Sequence, residues 1–475
     1  MIDTKALRQK ILDLAMRGKL VPQDQNDEPV ENLLARIKEE RHRLEKEKKI
    51  SKVVDSDIFW SDDDNCYYGK DEIPNGWSCL QLQYFSKIFT GNSLNDSQKL
   101  KFSVKIEDTF CYVSTKDIDL NGNVNYENGI YTPIDEKLKI AKAKSILICL
   151  EGANAGNKIA IIDKNINFVN KLACVETFSV IEKFIYYFFC SSVFNEEFRS
   201  NLQGIIGGVP LSKFKELSIL IPPLQEQQRI AAKLDELFAL IDKIEKEQEE
   251  LEEYKKLAKE KVLELAVTGK LVKQDPNDEP ASVLLKRIKK EKEALIKAGK
   301  IKKDKANNES LSDDDKNYYK NLPNGWTVCF LSEIIKEIRA GGDKPKKFSL
   351  NRTAEYSCPV IANGLENDGI VGYTNKAIVE EDCITISARG TIGVPTKRNY
   401  SFVPIVRLIV ITFLNAEKLI DYVKIFLTAK AIKSTGTSIQ QLTVPQTKSM
   451  AINLPPLNEQ RRIVKKIDSL EQVLK

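Results

Sequence analysis

At 475 residues the chain is too long for a single hydrophobic core, and about two to four domains are expected. Hydrophobic residues at 42% and aromatics at 8% exclude wholesale disorder. With 73 basic against 68 acidic residues the net charge is only +5, so any polyanion site must come from local arrangement.

The first element is a charged amphipathic helix with apolar residues at Leu7, Ile11 and Leu14, which is not a signal peptide. A Glu/Lys/Arg run over 36–49 follows and reads as a solvated helix face rather than a nucleic-acid arm. It contains the single histidine, His42, which leaves no residue for a Ser-His-Asp triad, a HExxH zinc site or a His/Cys zinc cluster. Asp62-Asp63-Asp64, and later Asp313-Asp314-Asp315, read as linkers without calcium-loop spacing. The nine cysteines form no CxxC and several sit in apolar strings, so they are expected to be reduced and buried, with no metal. No run approaches the roughly 18 apolar residues that span a bilayer, so a soluble cytoplasmic protein without a membrane partner is expected.

Further along, the chain repeats itself. Gly18-Lys19-Leu20-Val21 through Asn26-Asp27-Glu28-Pro29 recurs without a gap as Gly269-Lys270-Leu271-Val272 through Asn277-Asp278-Glu279-Pro280. Ile73-Pro74-Asn75-Gly76-Trp77 is echoed by Leu322-Pro323-Asn324-Gly325-Trp326, and Ile221-Pro222-Pro223-Leu224-Gln225-Glu226-Gln227 by Leu454-Pro455-Pro456-Leu457-Asn458-Glu459-Gln460. The resulting layout has an N-terminal helix and charged arm at 1–72 and a globular segment at 73–221. A central helix and second charged arm occupy 222–321, a second globular segment 322–454, and a C-terminal helix 455–475. Between landmarks the two globular segments barely resemble each other; Ile146–Gly152 laid on Ile384–Gly390 is the clearest match. Near-identical frames carrying dissimilar inserts suit a shared partner and two different targets.

The central helix, about 224–268, places apolar residues at 230, 234, 237, 241, 244, 251, 258, 262 and 265, a heptad broken at Gln248 and Lys255. Ile463, Ile467, Leu470 and Leu474 carry the same phase, as do Leu7, Ile11 and Leu14. The two chain ends therefore read as halves of one helix with about nine positions missing, a gap of roughly 13 Å. They are expected to pair antiparallel with the central helix in a pseudo-twofold frame. A helix of that length reaches about 67 Å, close to two turns of B-DNA, and so could act as a ruler between readers. Gln225, Glu226 and Arg229, with Glu459, Gln460 and Arg462, open the two helices and are candidate partner contacts; helix initiation alone would also account for them.

Each globular segment opens on a Pro-Asn-Gly turn leading to a tryptophan. Alternating runs at 109–113, 145–150, 158–162, 382–387 and 404–413 read as strands, and 181–203 and 415–434 as helices, giving an α+β fold. Recognition is expected in polar loops. In the first segment the candidates are Thr90, Asn92, Ser93, Asn154, Lys158 and Gln203. In the second they are Arg339, Lys344, Lys346, Lys347, Arg389, Lys397, Arg398, Gln440 and Gln441. Arginine and lysine suit guanine edges and phosphates, and amides suit adenine, although any one of these residues also fits an ordinary solvent-facing loop. Gly152-Ala153-Asn154-Ala155-Gly156-Asn157-Lys158 lacks the spacing and hydroxyl residue of a phosphate loop. No Asn-Pro-Pro-Tyr or Asn-Pro-Pro-Phe occurs, and no catalytic residue is assigned.

Taken in this order, the 11–29 motif and its copy, the two Pro-Asn-Gly-Trp openings and the two Pro-Pro-Leu-x-Glu-Gln exits resemble the specificity subunit of type I restriction-modification systems. The resemblance spans essentially the whole chain. It implies two target-recognition domains, 73–221 and 322–454, held apart by antiparallel helical spacers, each reading one half of a split double-stranded DNA site. It also implies helices that dock DNA methyltransferase (modification) subunits, and a larger assembly that adds an ATP-driven restriction subunit. S-adenosylmethionine, ATP and Mg would belong to those partners, leaving this chain without a cofactor or active site. Two other readings stay open: a single-chain methyltransferase or nuclease, and a coiled-coil protein-interaction scaffold whose inserts bind no DNA.

Overall fold

The computed structural model describes residues 1–474 except 53–66, 69–71, 105–106, 135–136, 205–206, 302–321, 365, 389–392, 407, 415 and 435–441. By its internal contacts the chain divides into two units, Met1–Glu249 and Glu250–Lys475, the division falling inside the helix Leu224–Val267.

In the first unit the helix Thr4–Met16 begins at Asp3, whose carboxylate accepts from the Ala6 amide at 2.9 Å. It stops at Gly18, where the backbone turns left-handed at φ +64. The Gly18 amide donates to the Ala15 carbonyl and the Lys19 amide to that of Leu14, the paired bonds of a Schellman stop. A second helix, Val30–Lys46, follows Pro29 and buries Leu33, Leu34 and Ile37. Much of the 36–49 run is exposed, as expected, but Arg41 is not: it is 4% exposed and donates to the Tyr84 and Ser51 carbonyls at 3.2 Å.

The body that follows is closed by its own end strands. β1 (Ser78–Gln81) pairs antiparallel with β10 (Ser218–Ile221), which sets Trp77 beside Pro222 and the start of the long helix. Between them lie β2 (Ser86–Thr90), β3 (Thr109–Val113), β4 (Tyr131–Pro133), β5 (Ile140–Ala141), β6 (Ile146–Cys149), β7 (Ile159–Ile161), β8 (Ile166–Phe168) and β9 (Leu172–Thr177). One antiparallel sheet has the order β2-β9-β6-β7; a mixed one has the order β4-β3-β8-β5, with β3 and β8 parallel. The apolar run Ile146-Leu147-Ile148-Cys149 is buried on both faces because the first sheet is the middle layer. Ile146 and Ile148 join the core formed with helices Glu182–Cys190 and Ser192–Ser200, whereas Leu147 and Cys149 join Phe168 and Cys174 in the core toward the second sheet. Phe184, Phe188, Phe189, Phe194 and Phe198 fill the helical side, each contributing roughly 1.5–3 kcal/mol by burial. The expected single helix over 181–203 is two helices, because Ser191 takes extended backbone and its hydroxyl caps the second one.

The second unit is built to the same plan. β11 (Thr327–Phe330) pairs antiparallel with β19 (Ala451–Leu454). The strands between are β12 (Ile335–Ala340), β13 (Cys358–Ile361), β14 (Ile370–Thr374), β15 (Cys383–Ser387), β16 (Pro395–Arg398), β17 (Val403–Pro404) and β18 (Leu408–Phe413). The sheets run β12-β18-β15-β16 and β14-β13-β17, again with one parallel pair, β13 and β17. Ile384, Ile386, Ile409 and Ile411 face the core that includes helix Ala416–Ser434, while Cys383, Leu408 and Val410 face the smaller sheet. The expected strand over 404–413 is thus two strands in different sheets. The C-terminal helix, Leu457–Val473, buries Ile463 and Ile467.

Cys111, Cys149, Cys174, Cys190, Cys329, Cys358 and Cys383 are free, as expected. Cys79 departs from that expectation and is disulfide-bonded. The two triple-aspartate patches lie outside the described residues.

Candidate nucleic-acid interface

The repeated motifs meet in space within each unit. In the first, the Trp77 indole N–H donates to Glu226 at 3.2 Å and the Arg229 guanidinium forms a two-bonded pair with Asp27 at 2.6 and 2.7 Å. Gln227 donates to the Pro222 carbonyl at 2.9 Å and accepts from the Ile181 amide at 3.0 Å. In the second, Trp326 donates to Glu459 at 3.0 Å, Arg462 pairs with Asp278 at 2.6 Å, and Gln460 donates to the Pro455 carbonyl at 2.8 Å. Gln274 adds a bond to Glu459 at 2.7 Å. Left-handed Gly18 lies under Pro74 and Trp77, and Gly269 under Pro323 and Trp326; a Cβ at either would fall within 2.9 Å of the proline ring. The motif strings are thus the two halves of one lock, in which each globular body is clamped to its helix. Burial raises the carboxyl pKa of both Glu226 and Glu459, opposed by the indole bonds and by Arg229 or Arg462. Of the candidate partner contacts, Glu226, Glu459 and Gln460 are buried in these locks, Arg229 and Arg462 are half-buried, and Gln225 is exposed.

Helices also pair inside the first unit. Arg8 bonds Asp242 and Glu245 and sits over the Phe238 ring, and the Ile2 amide donates to Gln248 at 2.7 Å. Partner numbers fall as the N-terminal numbers rise, so the N-terminal helix runs antiparallel to the long one. Along the heptad series Ile230, Leu234 and Ile241 are buried, whereas Leu251 is half-exposed.

The loop candidates of the first unit form two groups. Thr90 ends β2, and Gly91 crosses Phe168 so closely that a Cβ would sit 1.8 Å from its carbonyl oxygen. Asn92 accepts from the Lys139 amide at 2.8 Å, and Ser93 is exposed. Asn154 and Gln203 lie in neighbouring loops stitched together by the Gly152–Gly207 and Gln203–Gly208 backbone bonds, and both side chains face solvent. The Lys158 amine is engaged by the Thr115 carbonyl at 2.7 Å.

In the second unit Lys344, Lys346 and Lys347 are exposed on a loop that follows β12 and lies along β14, with the Lys344 amine 3.5 Å from the Phe348 ring centroid. Arg339 donates to the Ile378 carbonyl at 3.1 Å, and Lys397 pairs with Asp421 at 2.7 Å. Arg398 is only 3% exposed: its guanidinium bonds Thr385, Tyr400 and Asp368 and is turned into the unit. Asp368 and Asn367 hold left-handed backbone in the turn opposite it, a feature the sequence did not signal. Arg389, Gln440 and Gln441 lie outside the described residues.

Burial pushes the thiols of Cys174, Cys190 and Cys383 up to about 12, away from nucleophilic chemistry. Among the described residues no group of three or more histidine, cysteine or carboxylate side chains is placed to hold a metal ion. None of their helices is long and apolar enough to cross a membrane.

Two mixed helix-and-sheet bodies, each closed by its end strands and clamped to a helix, place the chain in the structural class of restriction-system specificity subunits. It is similar to the crystal structure of the HsdS subunit from Thermoanaerobacter tengcongensis, with TM-score 0.53 and 17% identity over 86% of this chain and 91% of that one. It is likewise similar to a chain from a structure concerned with complex assembly and conformational transition of the type I restriction-modification system, with TM-score 0.58 and 17% identity over 85% and 92%. The chain belongs to the type I restriction-modification DNA specificity family, whose domain model matches residues 74–253 and 323–475, and it is a DNA specificity subunit. It is 30% identical to the EcoAI specificity subunit of Escherichia coli over 98% of this chain and 89% of that protein. It is 32% identical to the EcoEI specificity subunit of the same species over 71% and 63%.

Proposed function

We propose that the two bodies, 73–221 and 322–454, each read one half of a split, asymmetric site in double-stranded DNA, while the helices set the unread spacer between them. In this reading the frame is a pseudo-twofold internal repeat with antiparallel coiled-coil pairing, and its exposed surfaces dock methyltransferase and restriction subunits in the cytoplasm. The chain supplies address rather than chemistry; S-adenosylmethionine, ATP and Mg are the partners' cofactors. The observation that carries the reading is the lock made twice, Trp77–Glu226 with Arg229–Asp27 and Trp326–Glu459 with Arg462–Asp278, around bodies whose loops differ. An identical frame suits identical partners, and different loops suit different base sequences, so the site is asymmetric although the frame repeats.

The test is methylation mapping of host DNA with and without the gene, followed by insertion of one heptad within 244–251. The expected result is a split methylated motif that disappears with the gene, and an insertion that lengthens its spacer while both half-sites persist. An unchanged spacer would count against the ruler, and an unchanged methylation map against the whole reading.

A further inference from the structure

We propose that Lys137, Lys139, Lys142 and Lys144 of the first unit form a phosphate-binding strip that seats the backbone of the target duplex beside the Thr90–Ser93 loop. The inference rests on the specificity-subunit reading and adds to it the face of this body that meets DNA.

The stretch Lys137-Leu138-Lys139-Ile140-Ala141-Lys142-Ala143-Lys144 holds four cations and no acid in eight residues. All four lysines are exposed, and among the described residues none of their amines pairs with a carboxylate. Exposed lysines elsewhere are in part neutralised, as Lys99 is by Asp96, Lys183 by Asp235 and Lys213 by Glu216, and in part free of a carboxylate, as Lys346 and Lys347 are among the described residues; here four such cations stand within eight residues. An unpaired strip keeps its full field for a polyanion, and each phosphate it neutralises releases condensed counterions.

The backbone beneath the strip is fixed. The Lys139 amide donates to Asn92, its amine reaches the Thr90 carbonyl at 2.8 Å, and its carbonyl accepts from Asn167 at 2.9 Å. Lys144 takes left-handed backbone at φ +72, uncommon outside glycine, with its amide held by the Ile162 carbonyl at 2.7 Å and the Ala143 amide by Asn165 at 3.0 Å. Lys139 therefore joins the strip to the loop that presents Asn92 and Ser93, so phosphate-binding and base-reading groups share one edge. Two acids, Asp135 and Glu136, directly precede the strip in the sequence.

Edge protection is the competing explanation, since lysines on an outer strand deter sheet-to-sheet pairing and β5 is the outer strand of its sheet. β5 is only Ile140–Ala141, however, and Lys142 and Lys144 lie beyond it. Protecting two residues does not call for a strip that continues past them.

The experiment uses the full chain and two duplexes of equal length, one bearing the site found by methylation mapping and one scrambled, titrated over a range of salt. The variant K137Q/K142Q/K144Q leaves Lys139 in place because its amine holds the Thr90 carbonyl. The slope of log K against log salt should fall by about 0.9 per lysine, roughly 2.7 in all, with the preference for the specific duplex retained. K137R/K142R/K144R should restore the slope, and K213Q/K215Q should leave it at the wild-type value. A triple glutamine variant with the wild-type slope and preference would overturn the strip and leave the specificity reading intact. A wild-type chain that binds both duplexes alike would overturn that reading and the strip with it, a failure visible before any substitution is made.

Discussion

The indole of Trp77 and the carboxylate of Glu226, 149 residues apart, meet in a buried hydrogen bond of 3.2 Å. Trp326 and Glu459 meet in the same way, at 3.0 Å, in the second unit. Truncation to E226A or E459A leaves an indole N–H without its acceptor and should cost about 1–3 kcal/mol. E226Q and E459Q keep an acceptor and should cost less. Urea unfolding followed by tryptophan fluorescence would check both, and the two losses should differ, since E459A removes the acceptor of Gln274 as well as that of Trp326.

Glu197 lies 5% exposed, accepting from the Ser218 amide at 2.9 and 3.1 Å and from the Tyr68 hydroxyl at 3.4 Å. Burial outweighs these bonds and raises its carboxyl to about 7. Between pH 4.5 and about 7 the unfolded chain ionises this group while the folded chain keeps it protonated. Stability therefore falls as pH rises through that window, by about 3 kcal/mol from this group, and is regained on acidification. In E197Q that component should vanish, giving a flatter stability profile across the window in urea unfolding at stepped pH.

Arg398 carries its charge inside the second unit, where Asp368, Tyr400 and Thr385 hold it. D368A removes the counter-charge and should destabilise the unit by about 3–5 kcal/mol, less to the extent that Asp368 is solvated. R398M should be milder, since no uncompensated charge stays buried. Neither change should lower the salt slope of DNA binding once measured on folded protein. A drop of about 0.9 in folded R398M would instead assign the guanidinium to a phosphate.

The landmarks were legible because they are contact strings. Gly18, Trp77 and Glu226 recur as Gly269, Trp326 and Glu459 since the left-handed turn, the indole and its acceptor must all be present for the lock to close. The strands were legible from apolar runs such as Ile146–Cys149, buried on both faces. What the sequence concealed was side-chain direction. Arg398 looked like a free cation because Asp368 is thirty residues away and meets it only through a left-handed turn. Lys139 passed unnoticed because its tie to Asn92 is made between two strands' ends. Likewise, the shared strand order of the two bodies is carried by burial pattern rather than by residue identity, which is why they scarcely align.

The central claim is that each body reads its own half of the site. Its most direct measurement is a methylation map of cells carrying this chain with residues 73–221 exchanged for the corresponding segment of another family member. One half-site should change to a new sequence, with the other half and the spacer length retained. A map in which both halves change together, or in which neither does, would contradict the account.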